Sequence, residues 1–208
     1  MTEYITVESP ASDSFVEKRS RFIGYISPVK TEAEAEEFIN QIKSKHYDAR
    51  HNPYAYILRE GQTFRFSDDG EPSQTAGKPI LDVLQKEGLF DVAVVVTRYF
   101  GGILLGGGGL TRAYSHGAKL AVMSAQRILM KPYTLFFLSC DYTLYGKLTH
   151  MLKEYDAVIE ESSFEQNIAL VVAVEKAQEG KLEADMSEAS NGALKPEIIG
   201  NKYLGRRI

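Results

Sequence analysis

Six of the nine residues from 101 to 109 are glycine, and the run lies between a continuous β-branched stretch, Val92 to Thr97, and a segment with helical apolar spacing that begins at Leu110. Glycine inside an element is destabilising by about 0.5–1 kcal/mol relative to alanine, so so dense a cluster needs a reason. Two are available: backbone angles with positive φ, or close approach of the backbone to something else. The β-branched run reads as a strand buried on both faces. Leu110, Ala113, Tyr114, Gly117, Ala121 and Ser124 share one face of a helix expected to reach about Ile128. A strand–glycine–helix order presents free N–H groups and a partial positive charge at the glycines, which suits an anion. Arg98 before the run and Arg112 in the first turn after it would add bidentate donors for phosphate. Arg98, Gly101, Gly102, Gly106, Gly108, Gly109 and Arg112 are therefore the main candidate site for an anion or nucleic acid. No Gly-Lys-Ser/Thr follows, which excludes a P-loop, and a Gly-x-Gly-x-x-Gly match in so glycine-rich a run carries no weight. The competing reading is a wide glycine turn that lets strand and helix pack closely, with both arginines in surface ion pairs.

The rest of the chain reads as two α/β domains, 1–131 and 132–208, divided at Lys131-Pro132. In the first, Tyr4–Val7, Arg21–Val29, Tyr54–Leu58 and Thr63–Phe66 are predicted strands, the last two joined by a hairpin loop at residues 59–62. Thr31 and Glu34 have capping-box spacing, and Ala35, Phe38, Ile39 and Ile42 follow on one helical face. Pro79 is expected at the first position of a helix that Gly88 stops. In the second domain the predicted order is strand, helix, strand, strand, helix, strand, with strands at Thr134–Tyr142, Ala157–Phe164, Ile168–Val174 and Leu194–Tyr203. The helices are expected at Tyr145–Tyr155 and Gln178–Ala189. This βαββαβ order is ferredoxin-like.

Net charge is −4, and the whole deficit falls in residues 132–208, since residues 1–131 carry 16 basic and 16 acidic side chains. Overall charge thus gives no support to a nucleic-acid binder, but a neutral domain still accommodates a local basic face. No apolar run approaches the roughly 20 residues of a membrane span, and the N-terminus lacks the pattern of a secretory signal. The single cysteine, Cys140, lies in an apolar run and reads as buried. Together these features point to the cytoplasm and to no membrane partner.

Other candidates are weaker. Lys18, Arg19 and Arg21 stand beside Phe22 and would meet a phosphate backbone; they equally suit a guarded strand edge. His46 and His51 sit in a polar segment that ends at Tyr54. No zinc-ligand spacing accompanies them, and contact with a ligand or a structural role fits better than catalysis. Asp68, Asp69 and Glu71 are weak candidates for magnesium and read more simply as a turn. Ser73, Thr75 and Lys78 would offer a second anion contact. No nucleophile elbow is present, no cofactor is implied, and no catalytic residue is assigned.

These residues fall into four ordered motifs over about 100 residues. They are Lys18-x-Ser20-x-Phe22; His46-x-x-Ala49-x-His51-Asn52-x-Tyr54-Ala55; Ser67-Asp68-Asp69-Gly70-Glu71-Pro72 with Thr75-Ala76-Gly77-x-Pro79-Ile80; and Thr97-Arg98-Tyr99-Phe100-Gly101-Gly102 through Arg112-Ala113-Tyr114. In this the chain resembles the IMPACT family, and its bacterial YigZ-type members in particular, whose appended small domain matches the C-terminal part. The resemblance implies an α+β fold. Its first domain would be of the ribosomal-protein and elongation-factor-domain-IV type, with a left-handed βαβ crossover, and its second ferredoxin-like, related to the last domain of elongation factor G. Both relatives touch RNA on the ribosome. Eukaryotic members regulate translation through a separate domain, and that mechanism is not carried over. Two positions depart from the family pattern: Gly107 where threonine is usual, and Gln74 where glycine is usual.

Three functions remain open from the sequence. The first is a translation-associated module binding RNA or a ribosomal surface through Lys18, Arg21, His51, Tyr54, Lys78, Arg98, the glycines and Arg112. The second is an enzyme acting on a small phosphorylated or peptide-like ligand, magnesium-assisted through Asp68, Asp69 and Glu71. The third is a protein–protein regulator without a ligand.

Overall fold

A computed structural model describes residues 2–208. The elements run in the order β1 (Tyr4–Val7), β2 (Ala11–Glu17), β3 (Ser20–Pro28), α1 (Glu32–Lys45), β4 (Tyr54–Ile57), β5 (Phe64–Ser67), α2 (Gly77–Lys86), β6 (Val92–Tyr99) and α3 (Gly107–Ser124). They continue as β7 (Arg127–Cys140), α4 (Tyr142–Glu154), β8 (Val158–Phe164), β9 (Ile168–Glu175), α5 (Glu179–Ala189) and β10 (Glu197–Arg207). Two compact units result. One holds Tyr4–Leu129 with Arg207–Ile208, the other Met130–Arg206 with the residues up to Glu3. The helix expected to reach Ile128 stops at Ser124, and β7 runs unbroken through Lys131-Pro132, so the border between units falls within a strand rather than in a linker.

The first unit is an antiparallel five-stranded sheet in the order β2-β3-β6-β4-β5. Its two faces carry separate cores. Phe22, Ile26, Val94 and Val96 pack with Ile80 and Leu84 of α2 and Tyr114 and Ala118 of α3. Ile23, Tyr25, Ala93 and Val95 pack with Ala35, Ile39 and Ile42 of α1. Successive residues of a strand point to opposite faces, and with helices on both sides β6 must be apolar at every position from Val92 to Val96. Helix and sheet approach closely away from the glycine run as well: a Cβ on Gly24 of β3 would lie 2.2 Å from the Gly117 carbonyl oxygen of α3.

Local signals hold with adjustments. Thr31 caps α1 by accepting from the Glu34 N–H at 3.1 Å, while the Glu34 carboxylate reaches back to the Lys30 N–H at 2.7 Å. Pro79 is the third residue of α2, not the first, and Gly88 ends that helix at φ 64°. β2 is a strand the sequence did not announce. Its residues are almost all exposed or half-buried, so no period-2 apolar pattern exists, and it is held by full pairing to β3 from Ala11–Ile26 to Glu17–Ser20.

The second unit has the strand order β10-β7-β9-β8 with antiparallel β7/β9 and β9/β8 pairs. That is the split-βαβ arrangement of a ferredoxin-like sheet. Leu148, Met151 and Leu152 of α4 and Leu182 and Met186 of α5 cover one face with Phe136, Leu138, Ile168 and Leu170. Cys140 is buried there, and burial pushes its thiol pKa up. No helix among the described residues is long and apolar enough to cross a membrane.

Candidate functional site

Strand pairing decides where the predicted site residues go. Phe22 lies opposite Arg98, and Arg21 opposite Tyr99, across β3 and β6. Arg98 therefore shares the α2/α3 face with Phe22, while Arg21 lies on the α1 face with Ile23 and Tyr25. The sheet separates two arginines that the sequence grouped together.

Arg98 is a buried side chain at 7% exposure. Its Nη1 donates to Glu71 Oε1 at 2.6 Å, and the Tyr114 hydroxyl donates to the same oxygen at 2.7 Å. The guanidinium lies 5.5 Å from the Phe22 ring centroid and 5.4 Å from that of Phe100, within cation–π range. Burial, then the Glu71 charge, raises the Tyr114 pKa, so the phenol stays protonated and donating. The Arg98 Nε is buried without a hydrogen-bond partner. Arg98, Glu71 and Tyr114 thus form an internal network joining β6, the 68–76 loop and α3.

The acidic turn is structural in detail. Asp68 Oδ1 accepts from the Ala76 and Gly77 N–H groups at 2.9 and 2.8 Å, and Oδ2 from Gln74 N–H at 2.8 Å, capping α2 from a distance. Asp69 pairs with Lys43 at 2.6 Å and accepts from Asn52 N–H at 2.7 Å. Burial raises the Asp69 pKa, but the Lys43 and Asn52 hydrogen bonds outweigh it and hold the carboxyl below its usual range. The three carboxylates face three different partners, and no cluster of three or more potential metal ligands exists among the described residues. His51 donates from Nδ1 to the Asp69 carbonyl at 2.8 Å, and Tyr54 lies under Lys43, so both brace this turn. Lys78 pairs with Asp82 one turn along α2.

The glycine run divides by cause. A Cβ on Gly101 would lie 2.0 Å from the Arg19 carbonyl carbon, so this glycine seats the loop on the β2–β3 turn, and its N–H donates to Ser20 Oγ at 3.2 Å. Gly102 and Gly106 have φ of 83° and 72°. A Cβ on Gly109 would come within 3.1 Å of Leu105 Cβ. Gly107 and Gly108 have neither reason: their φ values are not positive, nothing lies within 4 Å of a Cβ on Gly108, and only Thr75 Cγ2, at 4.0 Å, meets one on Gly107. They open α3, whose N-cap Gly106 supplies no side-chain hydrogen bond and whose first turn holds no acid.

Against this helix end stands the β2–β3 turn. Its two central residues, Lys18 and Arg19, adopt φ of 45° and 65°, a conformation that costs an L-residue roughly 1–2 kcal/mol. Positive φ at both central residues is what a two-residue type I′ hairpin turn between Glu17 and Ser20 requires. Lys18, Gly109, Arg112 and His116 line a cleft of about 270 Å³. Arg112 stands on the second turn of α3 rather than the first, and Lys18, Arg19 and Arg112 are exposed and without ion pairs among the described residues. Sequence reasoning assigned Lys18 and Arg112 to one surface, and the structure brings them to one cleft.

Comparisons with known proteins identify the family. A family model described as "Impact N-terminal domain" matches residues 18–122, and one described as "Domain of unknown function (DUF1949)" matches residues 138–193. The chain is 40% identical over 190 residues to IMPACT family member YvyE of Bacillus subtilis, covering 91% of this chain and 88% of that one. It is 35% identical over 180 residues to IMPACT family member YigZ of Escherichia coli, covering 85% and 88%. The protein IMPACT homolog of Dictyostelium discoideum is 41% identical over 108 residues, 50% of this chain and 30% of that one. A solved structure described as a crystal structure of an hypothetical protein superposes with a TM-score of 0.63 at 32% identity, covering 96% of this chain and 98% of its own. By its first-unit motifs, its appended second unit and these full-length relatives, the chain belongs to the IMPACT family.

Proposed function

We propose that the chain is a cytoplasmic, translation-associated regulatory protein that binds RNA or a ribosomal surface. Its phosphate-reading surface would be the uncapped N-terminus of α3 with Lys18, Arg19 and Arg112 around it. The observation that carries this reading is Gly107 with Gly108, where neither backbone angle nor packing asks for glycine. Bare N–H groups at the positive end of an 18-residue helix are what a phosphate oxygen requires. The unpaired cations beside them supply charge without first breaking an internal ion pair. In this reading Arg98 holds the scaffold through Glu71 and Tyr114 and does not meet the phosphate. The translation setting is supported by family membership and by the ribosomal type of domain that the resemblance implies.

The test is binding of the purified protein to ribosomes and to bulk cellular RNA at two salt concentrations, beside a Lys18→Glu/Arg112→Glu variant. Each phosphate contact on single-stranded nucleic acid contributes about −0.7 to the slope of log K against log salt. Loss of two contacts therefore flattens the slope by about 1.4. A wild type with no salt dependence, or a variant that binds equally well, would refute the proposal.

A further inference from the structure

The α1 face of the same sheet carries a second concentration of polar groups. Arg21, Tyr25, Lys45, His46 and Tyr99 line a cleft of about 550 Å³ between β3, β6 and the end of α1, with Ser12 and Ser14 of β2 at its rim. Sites for small ligands span roughly 300–1,000 Å³. His46 is buried, and both its nitrogens are engaged: Nε2 lies 2.6 Å from the Tyr25 hydroxyl and Nδ1 2.9 Å from the Tyr99 hydroxyl. The Tyr99 hydroxyl also lies 2.9 Å from Asp48 Oδ1.

The direction of this chain follows from the inventory of protons. A carboxylate only accepts, so the one Tyr99 proton goes to Asp48. Tyr99 must then accept from His46 Nδ1–H. A neutral imidazole carries one proton, so Nε2 is bare and accepts from Tyr25. Every donor is used, and the free lone pairs of Tyr25 Oη form the open end of the chain. Burial first, then Lys45, lowers the His46 pKa and so favours the neutral imidazole, with Arg21 adding to this and Asp48 opposing it. A ligand meeting Tyr25 must therefore bring a donor of its own.

The charges in the cleft describe the rest of that ligand. Arg21 and Lys45 are exposed and have no ion pair among the described residues, and the Lys45 ammonium lies 4.9 Å from the Tyr25 ring centroid. Asp13 lies on the same rim, where its Oδ1 accepts the Ser14 N–H at 2.7 Å. Two unpaired cations beside an acceptor that lacks a donor match a compound with an anionic group at one end and a hydroxyl at the other.

We propose that this cleft binds a small phosphorylated hydroxyl compound of the sugar-phosphate kind. Arg21 and Lys45 hold its phosphate, and its hydroxyl donates to Tyr25 Oη at the head of the Tyr25–His46–Tyr99–Asp48 chain. The site lies across the sheet from the α3 terminus and does not depend on RNA binding there. The test is calorimetric titration of the full chain with ribose 5-phosphate, with ribose as the uncharged control, and long-range proton–nitrogen spectra of His46. Ribose 5-phosphate binds and ribose does not. Arg21→Ala/Lys45→Ala weakens binding tenfold or more, Tyr25→Phe about threefold or more, and Lys18→Glu/Arg112→Glu leaves it unchanged. His46 appears as the Nδ1–H tautomer. The proposal is overturned if ribose 5-phosphate does not bind at millimolar concentration, or if Arg21→Ala/Lys45→Ala binds like wild type. It is equally overturned if binding is lost with Lys18→Glu/Arg112→Glu, or if His46 proves to be the Nε2–H tautomer.

Discussion

Replacing Glu71 with alanine removes the carboxylate that pairs with Arg98. Both side chains are almost wholly buried, at 7% and 4% exposure, and one Glu71 oxygen accepts from both Arg98 Nη1 and the Tyr114 hydroxyl. Breaking a buried pair by removing one partner costs about 3–5 kcal/mol, because the remaining charge is left uncompensated. The stranded Tyr114 hydroxyl would add about 1–3 kcal/mol if it acted alone. The two effects share one oxygen and are not additive, so the expected loss is about 4 kcal/mol. At roughly 2–4 °C per kcal/mol for a chain of this length, the transition should fall by about 10 °C. The chain has no tryptophan, so urea and thermal unfolding are best followed by circular dichroism. Glu71→Gln should lose less, since the amide oxygen still accepts. A Glu71→Leu/Arg98→Met/Tyr114→Phe variant should recover most of the loss, as apolar replacement of buried pairs does elsewhere. A loss below about 1 kcal/mol in Glu71→Ala would mean that Arg98 is solvated in the folded protein, and would return it to the list of phosphate-reading residues.

Three further outcomes follow from particular positions. Gly101→Ala forces a Cβ against the Arg19 backbone and should destabilise by at least 1–3 kcal/mol, whereas Gly108→Ala meets open space and should gain up to about 1 kcal/mol while weakening RNA binding; thermal melts paired with binding assays separate the two. Gln74 sits at φ 61° in the left-handed region, so Gln74→Gly should stabilise by about 1 kcal/mol in urea unfolding, and a loss instead would show that its side chain contributes there. His46 has a lowered folded pKa, so the unfolded chain binds more protons below the ordinary 6.5: stability is full above that pH and declines as pH falls through 6.5 toward the folded value. A pH series of melts should show this decline flattened in His46→Gln.

Periodicity and glycine content were enough to place β3, β6, α1, α3 and the whole βαββαβ order, because each signal lies within one element. They did not reveal β2, which lacks an alternating apolar pattern and is held by full pairing to β3, with only Ala11 and Phe15 packed against the core. The glycine cluster was legible as a cluster but not as three different demands. The close contact at Gly101 comes from Arg19, the positive φ values belong to Gly102 and Gly106, and Gly107 and Gly108 are left with neither reason. Arg98 and Arg21 illustrate the limit most clearly. Alternation along a strand says that Arg21 and Phe22 oppose one another, but not which face each takes. That depended on the register of β3 with β6, which aligns Phe22 with Arg98 and Arg21 with Tyr99. The 68–76 loop then brought Glu71 to Arg98 across 27 positions, and α1 brought His46 between Tyr25 and Tyr99, 21 and 53 positions away. Residue types and local spacing carry the elements and the family. The role of each charge is set by the partner that long-range pairing delivers to it, since a buried guanidinium or imidazole is governed by whatever donor or acceptor stands within 3 Å.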